Sequence, residues 1–233
     1  SRLEMERTRT QKEEYFEMSS HFLGNYLQKI VFNLELLKEQ YRKNKIFNEN
    51  LYNNAIRDIE LSNWMFDKVN EIVKLTRERK RPKLEWQVML ALVKEVIKDF
   101  ETQGHKSLEM KIESADELKW ALLSDQNLNK IFQDLFSFLA SSESVNRLII
   151  DCFTTSIHRT ITIEARNAPQ ISKEAITTLT ETITDNWMYH GRYIRISHAA
   201  VIIKHNEGSF DIKLGKNSLK FIIKFPIQFS KDL

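Results

Sequence analysis

The chain has 233 residues, 42% of them hydrophobic, with 35 basic side chains against 32 acidic ones and a formal net charge of +3. That is enough apolar material for one large core or two small ones, and too even a charge to favour nucleic acid or an anionic membrane surface. No run of eighteen apolar residues offers a membrane span, and the opening SRLEMERTRTQKEE is charged with no apolar stretch behind it, so no signal peptide is expected.

The first predicted element is a helix over about Leu3 to Lys43. It opens in mid-pattern on Ser1, as a signalling helix running on from an upstream sensor or membrane domain would. Within it Leu23, Leu27, Ile30, Leu34 and Leu37 keep the alternating spacing of a coiled-coil seam. His21 falls two residues before that seam, on the flank of the helix, where a partner protein could reach it. KNKIFNEN (43–50) reads as a turn, and a second helix over about Leu51 to Leu75 presents Ala55, Ile59, Phe66, Val69 and Val73, with Trp64 and Met65 beside them. The two helices make an antiparallel hairpin. One hairpin cannot cover two wide apolar stripes, so a homodimer forming a four-helix bundle is expected.

RERKRPK (77–83) reads as a solvated basic linker, and Pro82 restarts the chain. LEWQ (84–87) suits a short strand leading into a helix over about Val88 to Phe100, and SLEMKIE (107–113) alternates as a half-buried strand does. WALLSD (120–125) suits another short strand, and Gln126 to Ser141 a helix with Phe132, Phe136 and Phe138 on a core face. RLIIDCFTTSI (147–157) and RTITIEA (159–165) form a β-branched hairpin that Pro169 ends. The lone Cys152 within it rules out an internal disulfide and fits a reducing, cytoplasmic compartment. SKEAITTLTETITD (172–185) and Tyr193 to Lys204 read as helices, then SFDIKL (209–214) and LKFIIKFPI (219–227) as a second hairpin. The fold class is α+β, a helical hairpin domain over 1–80 followed by a layered domain of strands and helices over 81–233. His105, His158, His190, His198 and His205 show no metal-ligand spacing and read as surface or loop residues, so no metal site is expected.

This order, a histidine-bearing helical hairpin, a linker and a mixed domain closing on a strand hairpin at Pro226, resembles the sensor histidine kinase family over nearly the whole chain. The resemblance implies a dimerisation and phosphoacceptor domain followed by an ATP-binding-like α/β sandwich. SSHFLGNYLQKI is similar to the phosphoacceptor box, which makes His21 the phosphoacceptor and sets Asn25, one helical turn on, to orient a water or a phosphoryl oxygen. Phe22 stands where the family has a Glu or Asp that takes the imidazole proton, which phenylalanine cannot do. The box therefore keeps the group for phosphatase or transfer chemistry and loses the one for kinase chemistry. Gly24, inside the helix, costs about 1 kcal/mol against alanine and leaves room for a partner to approach.

The nucleotide motifs depart further. LNKIFQDLFSFLA (128–140) resembles the helix that supplies asparagine to magnesium, with Asp134 at the first asparagine position and Phe138, which is no metal ligand, at the metal-binding one. IEARNAPQISKE (163–174) resembles the adenine-reading box, with Asn167 or Arg166 for its aspartate and Ala168, Pro169 and Gln170 for its glycines. GRYIRISHAAVIIKHNEG (191–208) resembles the phosphate lid and its helix, keeping Gly191 and Gly208 but placing Tyr193 and Arg195 where backbone must approach phosphate. Only five glycines exist in the chain, so no glycine-rich phosphate loop can be built elsewhere. Trp187, Met188 and Tyr189 are expected to fold in and plug the pocket.

The resemblance thus implies a lost ATP and magnesium site, no cofactor, and phosphoryl exchange between His21 and the aspartate of a response-regulator receiver domain. The regulator would dock near His21 through residues such as Phe22 and Gln28. Two alternatives stand beside it. One is a dimeric signalling scaffold without phosphate chemistry, and the other an active ATP-dependent kinase in which another carboxylate replaces the missing base and ATP and magnesium are bound.

Overall fold

The computed structural model describes residues 24–25, 27–77, 85–102, 108–115, 119–122, 125–142, 144–168, 171, 176 and 193–227. They fall into two compact units, one of the described residues up to Val73 together with Tyr193 and Ile194, and one of the remaining described residues.

In the hairpin unit, α1 is described over 27–44, with 24 and 25 also helical, and α2 spans Glu49–Arg77. The turn between them is built from side chains as well as backbone. Lys45 takes the left-handed conformation (φ 55°) and its amide closes α1 by donating to the Tyr41 carbonyl at 2.9 Å. Asn48 caps α2, its Oδ1 accepting from the Leu51 amide at 3.2 Å while its Nδ2 reaches back to Gln40 Oε1 at 2.8 Å. Further along, Asn33 Nδ2 donates to Asp58 Oδ2 at 3.3 Å and ties the two helices together.

Ile30 from α1 and Ala55, Met65, Val69 and Ile72 from α2 are buried, while Ile59 and Phe66 are exposed. The expected face of α2 is thereby corrected by one residue, since Met65 and Ile72 point inward in place of Phe66 and Val73. Neighbouring helical residues diverge by about 100°, so in the apolar run Trp64, Met65, Phe66 only packing decides which one is buried.

In the mixed unit, β1 (Glu85–Val88) pairs antiparallel with β3 (Lys119–Leu122) as a separate two-stranded ribbon. The main sheet has five strands in the order β2-β4-β5-β7-β6. They are β2 (Glu109–Ala115), β4 (Arg147–Thr154), β5 (His158–Arg166), β6 (Ser209–Leu214) and β7 (Ser218–Pro226). Both expected hairpins are present, β4 with β5 and β6 with β7. The parallel pairing of β2 with β4 is not foreshadowed by the strand patterns. It uses β3 and the helix after it as the long crossover that parallel neighbours require. The helices are α3 (Met89–Thr102), α4 (Asp125–Ala140) and α5 (Ile194–His205). The helix expected over 172–185 lies outside the described residues except for 176, which is helical.

The core follows the period of the strands. Along β7, Leu219, Phe221, Ile223 and Phe225 are buried, and Phe221 lies opposite Ile163 on one side and Ile212 on the other. The other face of the same strands carries the Lys220–Glu164 ion pair at 2.7 Å. Phe138 of α4 meets the Phe221 ring edge-on at 6.3 Å between centroids, and Phe136 meets Phe100 of α3 at 5.7 Å. Such pairs contribute about 0.5–1.5 kcal/mol beyond burial, and they fix α4 between α3 and the sheet.

α5 is closed by paired backbone bonds at its C-terminus. Glu207 is left-handed (φ 59°), its amide donates to the Lys204 carbonyl at 3.0 Å, and the Gly208 amide donates to the Ile203 carbonyl at 2.9 Å. A Cβ on Gly208 would stand 2.8 Å from Ile203 Cγ2 and from the Phe225 ring, so glycine is needed there for close approach.

Candidate functional site

α5 is apolar almost all round, as a helix enclosed by protein must be. Ile194, Ile196 and the run from Ala199 to Ile203 are all buried. His198 sits in that run with 0% exposure. On α4, Asp134 is 2% exposed among Ile131, Phe132, Leu135 and Phe136. Either group buried alone would be costly, and the fold brings the two together, with His198 Nδ1 hydrogen-bonded to Asp134 Oδ2. Arg195, one turn before His198, sets its guanidinium 3.9 Å from the other oxygen, Oδ1, of the same carboxylate. Burial pulls the Arg195 pKa below its ordinary value and the Asp134 charge opposes that shift.

The structure thus joins Asp134 and Arg195, which the sequence names separately, and adds His198. The surface placement expected for His198 is corrected. A histidine inside a fully enclosed helix has to be buried, and burial demands a polar partner. A partial signal lay in HAAVII (198–203), where His198 opens a wholly apolar run, and in α4, where Asp134 alone carries charge within the run 131–136, but neither names the other as its partner.

Phe138, one turn after Asp134, is buried with its ring on Phe221 and offers no ligand atom. Phe132, Phe136 and Phe138 are core residues as expected. Asn167 leaves β5 in the left-handed region (φ 56°), which suits asparagine, and its amide donates to the Asn217 carbonyl at 2.8 Å while the residue is exposed. Arg166 ends β5 opposite Ser218 and is also exposed. Tyr193 is buried. Gly191, Trp187, Met188 and Tyr189 lie outside the described residues.

His21, Phe22 and Leu23 also lie outside the described residues. Asn25 and Gln28 are exposed on α1, and a Cβ on Gly24 would meet nothing within 4 Å. Of the remaining seam residues, Ile30 is buried, Leu37 half-buried, and Leu27 and Leu34 are 56% and 44% exposed. Among the described residues no group of three or more His, Cys, Asp or Glu side chains is placed to hold a metal. No described helix is long and apolar enough to cross a membrane.

No protein-family model and no curated protein matches this sequence. Solved structures do match. The histidine kinase AdeS of Acinetobacter baumannii aligns with a TM-score of 0.67 at 15% identity, covering 87% of this chain and 97% of AdeS. The histidine kinase ThkA, solved in complex with the response regulator protein TrrA, aligns with a TM-score of 0.66 at 16% identity, covering 97% of this chain and 66% of ThkA. The chain has the sensor histidine kinase fold. ShkA, solved at full length with AMPPNP, shares the histidine kinase fold with a TM-score of 0.59 at 11% identity, covering 95% of this chain and 47% of ShkA. At such identities the likeness is one of backbone fold.

Proposed function

We propose that the protein is a dimeric two-component signalling protein, in which His21 exchanges phosphoryl groups with the aspartate of a response-regulator receiver domain and ATP is not used. Residues 1–80 form the dimerisation and phosphoacceptor domain, residues 81–233 a degenerate ATP-binding-like domain, and the protein works in the cytoplasm. The observation that carries this reading is the use made of the two magnesium-helix positions. Asp134 is engaged with Arg195 and His198, and Phe138 with Phe221. Neither a hydrocarbon ring nor a carboxylate already matched by two side chains suits a magnesium nucleotide. The exposed Leu27 and Leu34 support the second protomer, since such a seam is stable when another helix covers it. The fold supports the class of partner, ThkA having been solved with a response regulator protein.

In the transfer step the P–O bond of the receiver's aspartyl phosphate breaks and a P–N bond forms to the His21 imidazole. The aspartate leaves as carboxylate and the imidazole N–H proton passes to solvent. Asn25 orients the phosphoryl oxygens, or a water when the phosphohistidine is hydrolysed. The test uses receiver domains from the source organism, phosphorylated with labelled acetyl phosphate and mixed with the full chain. The expected result is an acid-labile label that His21→Ala abolishes, with no label from magnesium-ATP. Absence of label from every receiver would favour the scaffold, and label from ATP would favour a divergent kinase.

A further inference from the structure

We propose that Asp134, Arg195 and His198 form an internal charge clasp that fixes α5 on α4 in the absence of any ligand, doing from within the chain what a bound cation and nucleotide would do from outside. The proposal rests on the reading that this site takes no nucleotide, and it deepens that reading by naming what holds the domain in its place.

Apart from this cluster, the buried residues of α5 are almost all hydrocarbon, whose contacts are non-directional and leave a helix able to rotate or slide against its neighbour. The clasp removes that freedom. One carboxylate on α4 binds two residues of α5 that are one turn apart, Oδ2 to His198 Nδ1 and Oδ1 to Arg195. Two attachments to one rigid group set both the rotation of α5 and its axial position, the register-fixing role for which buried polar pairs are best attested. The far end of α5 is held separately, by the close fit of Gly208 on Phe225 of β7. The helix is therefore fixed at both ends by the chain itself.

The discriminating variant is Asp134→Asn, which installs the residue type that the resemblance places at this position while removing only the charge. If position 134 were merely drifting from the family pattern, the amide would be tolerated. The clasp predicts that it raises the unfolding equilibrium constant of the full chain by about a hundredfold, as when one member of a buried pair is lost. Amide exchange over 196–203 of α5 should accelerate while the helical hairpin is unaffected. Arg195→Gln, whose side chain is 32% exposed, should raise the constant about fivefold, and in the Asp134→Asn background it should do nothing more. Unchanged exchange in α5, or additive effects of the two substitutions, would overturn the clasp. Should Asp134→Asn not fold, exchange in Arg195→Gln alone decides, faster α5 exchange supporting the clasp and unchanged exchange overturning it. None of these readouts involves His21 or ATP. Stabilisation of the wild type by magnesium-ATP together with non-additive variants would sink the ATP-free reading and leave the clasp standing, and the opposite pair of results would do the reverse.

Discussion

At the scale of single residues, Asp134 and Phe138 show how the same helix positions can serve a different end. Phe138→Asn would restore the metal-binding residue type of the resembled family, yet here it removes a ring packed on Phe221 and buries an amide. We expect a loss of about 3–5 kcal/mol by urea unfolding, the range for deleting a buried phenylalanine, and no gain of magnesium binding by calorimetry. The α5 terminus gives a pair of opposite outcomes. Glu207→Gly relieves a left-handed non-glycine residue and should raise stability by about 0.5–1 kcal/mol. Gly208→Ala drives a methyl into Ile203 and Phe225 and should cost about 1–3 kcal/mol. Thermal unfolding of both variants checks the pair. The sequence made Phe138 legible, because an aromatic residue at helical spacing among other core positions has one destination. It left His198 unread, because burial of a polar residue depends on a partner 64 positions away.

At the scale of elements, period and punctuation carried most of the information. Asn48 and Lys45 close the hairpin within the expected turn, and the strands of the β6–β7 hairpin alternate as their sequences do. Two features escaped because they are decided between elements. The buried stripe of α2 is settled by α1, and the parallel pairing of β2 with β4 by the crossover that separates them. The α1 seam yields a prediction of its own. Leu27→Asp with Leu34→Asp places charge on two exposed seam positions, and if the proposed dimer forms through this seam, sedimentation should show the unchanged chain as a dimer and the variant as a monomer. Retained dimerisation would move the interface to another face.

At the scale of the whole molecule, the chain has a histidine kinase fold, and the proposed function makes His21 the group that exchanges phosphate with a regulator. The resemblance made the fold legible from the order of its elements, and the solved relatives share that fold. The cluster of Asp134, Arg195 and His198 was not legible, since the three meet only once α4 and α5 have packed. The most direct measurement is the melting temperature of the full chain with and without millimolar magnesium-ATP. A ligand that binds the native state at about one hundred times its dissociation constant adds roughly 2.7 kcal/mol of stability. No shift is expected, and a clear rise would overturn the proposed loss of the ATP site and favour a divergent ATP-dependent kinase.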